Sequence, residues 1–246
     1  MAQSEYDDPV IIDDPVYGQA LGNYPADRGR LLLIGGSLYF VSSAVLNLAF
    51  AQVDAALAAI IVISGMAILA LLIGWYILHL WNREVVLYAR GFSYREGSRL
   101  IFITYLEVTS IRQRAERVAY FGGLVRRTIY QIILQTSHDE TIILDNLYRR
   151  IDELGIRLEQ QINQAQRPVI EAKLQAGGSV PFGDGLTLTP DGLQVGDQRL
   201  TWDDYQTFAV SEGKLTLTGS TLTLALPLAQ IDHLTLLLEL LRARKR

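Results

Sequence analysis

The sequence predicts a membrane-anchored α+β protein, with a two-helix transmembrane hairpin followed by tandem β-rich units, each closed by a carboxy-terminal helix. Three observations predict it. Apolar residues are half of the 246 and mean hydropathy is +0.20. The excess is confined to residues 31–50, with 14 apolar residues of 20, and 55–81, with 23 of 27, neither run holding an Asp, Glu, Lys or Arg. Beyond Glu84, short β-type runs alternate with turn residues, and two amphipathic helical patterns close the two halves of that region.

Residues 1–27 carry Glu5, Asp7, Asp8, Asp13, Asp14 and Asp27 and no basic side chain. Asp7-Asp8-Pro9-Val10 recurs as Asp13-Asp14-Pro15-Val16. Proline breaks helix and strand alike, and uncompensated charge opposes collapse, so a disordered, solvating tail is expected. Its functional readings are a short motif for a basic partner or a tether to the chain's own basic patch.

At 1.5 Å per residue, about 20 apolar residues cross roughly 30 Å of hydrocarbon, and both runs meet that length. Only residues 51–54 separate them, so the chain reverses tightly within a hairpin at 28–83. Trp75, Tyr76 and Trp81 suit an aromatic belt, with His79 hydrated between them at interface depth. Arg28 and Arg30 precede the first span, Arg83 and Arg90 follow the second, and the turn has no basic residue. The positive-inside rule then puts both termini in the cytoplasm of a multi-pass inner-membrane protein. The A-x-A string at Ala49-Phe50-Ala51 suggests signal cleavage, but the acidic segment before it is the opposite of a signal n-region. Gly35, Gly36, Ala58, Ala70 and Gly74 offer close helix approach, within the hairpin or in a homo-oligomer.

The cytoplasmic part reads as a diverged repeat. Thr141-Ile142-Ile143-Leu144 matches Thr221-Leu222-Thr223-Leu224, and Ile151-Asp152-Glu153-Leu154 matches Ile231-Asp232-His233-Leu234, both at an offset of 80. One helical face carries Ile151, Leu154, Leu158 and Ile162, the other Ile231, Leu234, Leu237, Leu238 and Leu241. Gly91-Phe92-Ser93-Tyr94 matches Gly192-Leu193-Gln194-Val195 at an offset of 101, so the first half holds about 21 extra residues, including 112–127. Turns at Asp191-Gly192, Gly196-Asp197, Glu212-Gly213 and Gly219-Ser220 cut the second half into at least five strands. The expected organisation is a tail at 1–27, a hairpin at 28–83, a first unit at 84–167, a linker at 168–185 and a second, shorter unit at 186–246. One composite fold stays open as the alternative to two domains.

Successive antiparallel strands closed by one helix resemble the pleckstrin-homology-like superfold, including its short bacterial and GRAM-type versions. The residues carrying the likeness are Gly91-Phe92-Ser93-Tyr94, Thr104-Tyr105-Leu106-Glu107-Val108, Leu193-Gln194-Val195, Trp202-Asp203-Asp204 and the two helices. The layout resembles an uncharacterised bacterial membrane family in which a hairpin precedes such domains. The resemblance implies pleckstrin-homology-like modules at the membrane surface.

Absence of cysteine excludes disulfides, thiolate metal sites and cysteine nucleophiles. Motifs of nucleotide-binding loops, zinc proteases and serine hydrolases are absent, and His79, His138 and His233 are scattered. No enzyme activity, metal or cofactor is therefore expected. Asp203-Asp204 reads as a turn after a strand, and the glycines at 177–185 as linker. The region from Asn82 carries 20 basic and 19 acidic residues, a balance of +1 that argues against nucleic acid. Basic side chains concentrate at Arg112, Arg114, Arg117, Arg126 and Arg127, and at Arg242, Arg244, Lys245 and Arg246. These are the expected contacts to anionic lipid headgroups or a protein partner, with Glu107 and Glu116 close enough to pair with some of the first group. Arg95 and Arg99 flank the first hairpin turn without the fuller pattern of a phosphoinositide site. The expected role is a membrane-surface adaptor or scaffold; the alternative is a structural subunit assembling through its hairpin.

Overall fold

The computed structural model describes residues 13–51, 55–120 and 125–244, the side chains at 55, 58, 116–120 and 125–127 excepted. The chain forms two compact units, each taken by itself.

The first unit comprises the chain up to Tyr88, with Phe92–Phe102 and Leu147–Arg149. The segment expected to be disordered to residue 27 contains a strand, β1 (Ala20–Pro25), with Tyr24 only 1% exposed. Upstream, the Asp14 carboxylate accepts the amides of Val16 and Tyr17 at 2.8 and 2.9 Å, and Asp13 accepts that of Ala20 at 2.9 Å. Aspartate here builds a turn rather than repelling structure, because its oxygen satisfies backbone donors that the turn leaves unpaired. The turn stacks Tyr17 on Phe102, ring centroids 5.2 Å apart. The first copy of the acidic tandem lies outside the described residues.

Helices α1 (Arg28–Ala49) and α2 (Ala55–Trp81) follow, each long and apolar enough to cross a membrane. Asp27 caps α1, its Oδ1 accepting the Arg30 amide at 3.1 Å. Of the small residues, Gly35 makes the tight approach: a Cβ there would stand 2.6 Å from Ile77 Cδ1 and 3.1 Å from Ile73 Cγ2. Gly36 and Gly74 face open space.

After α2 the chain forms β2 (Glu84–Tyr88), β3 (Gly91–Glu96) and β4 (Arg99–Thr104), in a sheet ordered β1-β2-β3-β4. Strands β1 and β2 are antiparallel neighbours with Pro25 opposite Glu84. The helical hairpin is thus spliced between two paired strands. It does not precede the sheet as a separate appendage. Ala26 N–H donates to Arg83 O at 2.9 Å, Asp27 N–H to Leu147 O at 2.7 Å, and Arg149 N–H to Pro25 O at 3.0 Å, tying both hairpin ends together.

The second unit contains Ala89–Gly91, Ile103–Asn146 and Arg150–Arg246. Strands β5 (Val108–Tyr120), β6 (Val125–Thr136) and β7 (Thr141–Asp145) form an antiparallel sheet in that order. Residues 112–127, expected to be an insertion in the first half, fall in the long β5–β6 hairpin, with Tyr120 opposite Val125; Gly122 and Gly123 lie outside the described residues. Helix α3 (Ile151–Gln175) buries the predicted face of Ile151, Leu154, Leu158 and Ile162. It approaches β5 closely at Gly155, whose carbonyl accepts from Gln113 Nε2 at 3.0 Å and where a Cβ would stand 2.8 Å from Gln113 Oε1.

Residues 168–185, expected to be a linker, are mostly ordered structure. The last turns of α3 run through Pro168, and Ile170 and Leu174 join the core containing Phe182, Leu188, Leu217 and Leu237. Burial of those two side chains outweighs the backbone hydrogen bond that proline forfeits. Strands β8 (Val180–Pro181), β9 (Leu186–Thr189), β10 (Gly192–Val195) and β11 (Gln198–Thr201) form a sheet ordered β11-β10-β9-β8. Strands β12 (Tyr205–Ser211), β13 (Lys214–Gly219) and β14 (Thr223–Pro227) form another, and α4 (Leu234–Arg244) closes the chain.

The offset of 80 between matching strings is not the spacing of the elements themselves. Strands β7 and β14 begin at Thr141 and Thr223, 82 apart, and share the burial pattern of alternating exposed and buried residues. Helices α3 and α4 begin at Ile151 and Leu234, 83 apart, each preceded by a left-handed residue, Arg150 at φ 54° and His233 at φ 48°. Ile231 and Asp232 therefore lie before α4. A two-residue slip preserves strand alternation and a three-residue slip preserves a helical face, so neither pattern resolves the register.

Candidate functional site

Strand β5 brings the first predicted basic residue, Arg112, to the loop before α4 within the second unit. Its Nε donates to Asp232 Oδ1 at 2.5 Å, and its Nη2 reaches Asp184 Oδ2 at 3.3 Å. Ser110, two residues earlier on the same face of β5, donates its hydroxyl to Asp232 Oδ1 at 2.7 Å. The Asp232 hydrogen bond holds the Arg112 guanidinium more firmly protonated than usual, against the opposing effect of burial. Arg112 therefore works inside the fold.

His233 completes this junction. Its amide donates to Ile111 O at 3.1 Å, and its Nε2 lies 3.2 Å from Thr109 O. A carbonyl accepts only, so Nε2 carries the ring proton of the neutral imidazole, leaving buried Nδ1 without a hydrogen-bond partner. Burial pushes the His233 pKa down, outweighing the raising effects of Thr109, Asp232 and Glu159. The arrangement clamps β5 to the α4 loop through one ion pair, one hydroxyl and two backbone contacts.

The other predicted basic residues have separate surroundings. Arg114 is exposed on β5. Arg117, Arg126 and Arg127 occupy paired positions of the long hairpin, opposite Thr128, Ala119 and Val118, their side chains outside the described residues. Arg242 and Arg244 lie over the rings of Phe208 and Trp202, 5.9 and 5.3 Å from the centroids. Lys245 and Arg246 lie outside the described residues. Glu107, expected near the arginines, instead accepts the Thr104 amide and hydroxyl at 2.7 and 2.8 Å, which lowers its pKa, and it lies 3.5 Å from His138. Glu116's side chain lies outside the described residues.

Arg244 and Trp202 line a cleft of about 270 Å³ with Glu171, Leu174, Leu188 and Leu240. Trp202 is held by its indole N–H donating to Pro190 O at 2.8 Å. Asp204 is engaged in turn chemistry, accepting from Thr201 Oγ1 at 3.0 Å and Ser220 Oγ at 2.8 Å. A cation stacked on an indole beside apolar walls suits the surface of a partner carrying both charge and hydrocarbon. Among the described residues, no three of His, Cys, Asp and Glu gather as a metal site.

The local density of basic residues points to Arg112 but carries no sign of its pairing with Asp232. The two are 120 positions apart, and nothing local links them.

A family model matches residues 9–246, covering tail, hairpin and both β-rich halves. The chain belongs to the family of unknown function DUF6585. No curated protein and no solved structure matches it. In this DUF6585 member the matched region contains both the apolar helices and the Arg112–Asp232 junction.

Proposed function

We propose that this protein is a non-enzymatic, multi-pass inner-membrane adaptor whose pleckstrin-homology-like modules hold a protein partner or lipid headgroups at the cytoplasmic surface, with both termini inside. The observation carrying the reading is the splice of the apolar hairpin between paired strands β1 and β2. A sheet joined this way stays at the bilayer surface, where tethering makes weak contacts sufficient.

The modular reading has its own support. Four-stranded sheet, three-stranded sheet and closing helix occur in the same chain order twice, as β1–β4, β5–β7, α3 and as β8–β11, β12–β14, α4. Two backbone hydrogen bonds, which together form one β-bridge, recur within their respective units. Asp27 N–H to Leu147 O corresponds to Asp184 N–H to Gln230 O, and Arg149 N–H to Pro25 O corresponds to Asp232 N–H to Phe182 O. The Ala26–Tyr148 bridge corresponds to that between Gly183 and Ile231. In the hairpin, Gly35 packs against α2 of the same chain, which takes its closest small-residue contact away from the alternative of assembly through the spans.

The test is extraction of the full chain from native membranes into lipid discs, with mass spectrometry of proteins and lipids. A stoichiometric protein companion, or anionic lipid enriched over the bulk membrane, is the expected result. The chain alone with bulk lipid composition overturns the adaptor reading.

A further inference from the structure

We propose that the cleft beside Trp202 binds a small aliphatic monocarboxylate, with its hydrocarbon against the indole and its carboxylate on Arg244. Every residue involved lies in the second unit, so the site goes beyond the adaptor reading and does not depend on it.

Two corners of this unit share a bonding pattern and differ in how they are covered. After β4, Tyr105 N–H donates to Arg90 O at 3.3 Å; after β11, Trp202 N–H donates to Asp191 O at 3.0 Å. Thr104 Oγ1 donates to Glu107 Oε2 at 2.8 Å, and Thr201 Oγ1 donates to Asp204 Oδ2 at 3.0 Å. Ser137 N–H donates to Glu107 O at 2.8 Å, and Ser220 N–H donates to Asp204 O at 2.9 Å. Tyr105 is 2% exposed, and Gln166 Nε2 of α3 donates to the carbonyls of Tyr105, Leu106 and Val108 at 3.3, 3.2 and 2.8 Å. Trp202 is only partly buried, and α3 and α4 leave beside it a cleft of about 270 Å³.

That cleft pairs apolar walls with one cation. Leu174, Leu188 and Leu240 line it together with Trp202, whose ring is fixed by the indole N–H donating to Pro190 O at 2.8 Å. Arg244 stands over the ring, 5.3 Å from its centroid, and makes no hydrogen bond or ion pair among the described residues. The carboxylate in the lining, Glu171, is paired with Arg167 at 2.9 Å, an arginine that also reaches Glu239 at 3.3 Å. Stacking occupies the face of the Arg244 guanidinium and leaves its edge N–H groups able to donate.

Size selects the occupant. Pockets for drug-sized molecules begin at about 300 Å³, so this cleft takes a group no larger than a side chain or two. A short branched chain displaces water from the apolar walls, and a carboxylate at its end makes charge-assisted hydrogen bonds to the guanidinium edge.

The experiment uses the full chain in lipid discs, with Trp75→Phe and Trp81→Phe leaving Trp202 as the single tryptophan. The probe is 4-methylpentanoate at neutral pH and constant ionic strength, read through the Trp202 emission maximum. A saturable blue shift is expected as hydrocarbon replaces water at the indole. Acetate, which has the charge without the chain, should give no shift over the same range. The neutral isostere 4-methylpentanamide should need about tenfold higher concentration, having lost a charge-assisted hydrogen bond. Arg244 is exposed, and Arg244→Gln should bring acid and amide to parity, while Arg244→Lys should retain part of the preference. A shift that does not saturate, equal responses to acid and amide, or a preference that survives in Arg244→Gln overturns the proposal. Tighter binding of a peptide ending in leucine than of the free acid also overturns it, by assigning the cleft to the chain end of a protein partner.

Discussion

The connection from β1 to β2 and the connection from β8 to β9 each join antiparallel neighbours, yet one contains two apolar helices and the other is a tight turn at residues 182–185. Both are closed by the same backbone contacts to the segment before the following helix. A short turn and a long apolar helical hairpin satisfy the same geometry, because antiparallel neighbours require only that the connection's ends lie one strand spacing apart. A pair of helices long and apolar enough to cross a membrane is therefore part of this β-sheet's wiring, with no linker between them and the sheet.

The largest effect that would test this equivalence is removal of the hairpin. Replacing residues 26–83 with Gly-Asp-Gly, the string at 183–185, is expected to move the protein from the membrane to the soluble fraction with its β-sheet circular dichroism retained. An unfolded product would mean that the hairpin organises the sheet, and the equivalence would fail.

Next in size is a comparison of the two bridging residues. Gly183 has φ +102°, and a Cβ there would stand 2.0 Å from Gln230 O, so Gly183→Ala is expected to cost about 3–5 kcal/mol. Its counterpart Ala26 already carries that methyl while 1% exposed, and Ala26→Gly should cost only about 1 kcal/mol. Chemical unfolding of the detergent-solubilised chain would measure both; equal losses would sink the distinction.

The smallest effect separates the left-handed residues before the two helices. Arg150 is exposed, whereas His233 is buried and its pKa lies below the ordinary value near 6.5. A buried base with a depressed pKa stabilises the fold fully above 6.5. That stability is lost as pH falls toward the folded pKa, because the unfolded state takes up the proton first. Between pH 7.5 and 5.5 the stability of the wild-type chain should decline, at no more than about 1.4 kcal/mol per pH unit from this group. His233→Gln should flatten that decline, while Arg150→Gln should leave it intact. An unchanged slope in His233→Gln would remove His233 as its source.

The sequence alone was most informative where one physical signal dominated. The two apolar runs match α1 and α2 to within a few residues, because length and hydropathy need no long-range partner. The buried faces of Leu154, Leu158 and Ile162, and of Leu237 and Leu241, were legible from helical spacing. Turn glycines marked the strands of the second half correctly, with Gly196 and Gly213 both at positive φ. The periodicities that revealed strands and helices hid their register, since slips of two and three residues preserve each pattern.

The candidate site was the least legible part. Charge density selected Arg112, but its carboxylate partners lie 72 and 120 residues away. The turn at Gly97 was visible, yet its approach to His79 and the pairing of Glu96 with Arg83 depend on β3 folding back along β2. Hydropathy, turn chemistry and alternation act over a few residues and are written locally, so the sequence by itself determined which segments are helices, strands and turns. Strand pairing and ion-pair choice depend on loop closure across tens of residues, which only the tertiary structure decided. It made residues 20–25 a sheet strand, made the hairpin a splice within that sheet, and engaged Arg112 of the expected basic group with carboxylates of its own chain.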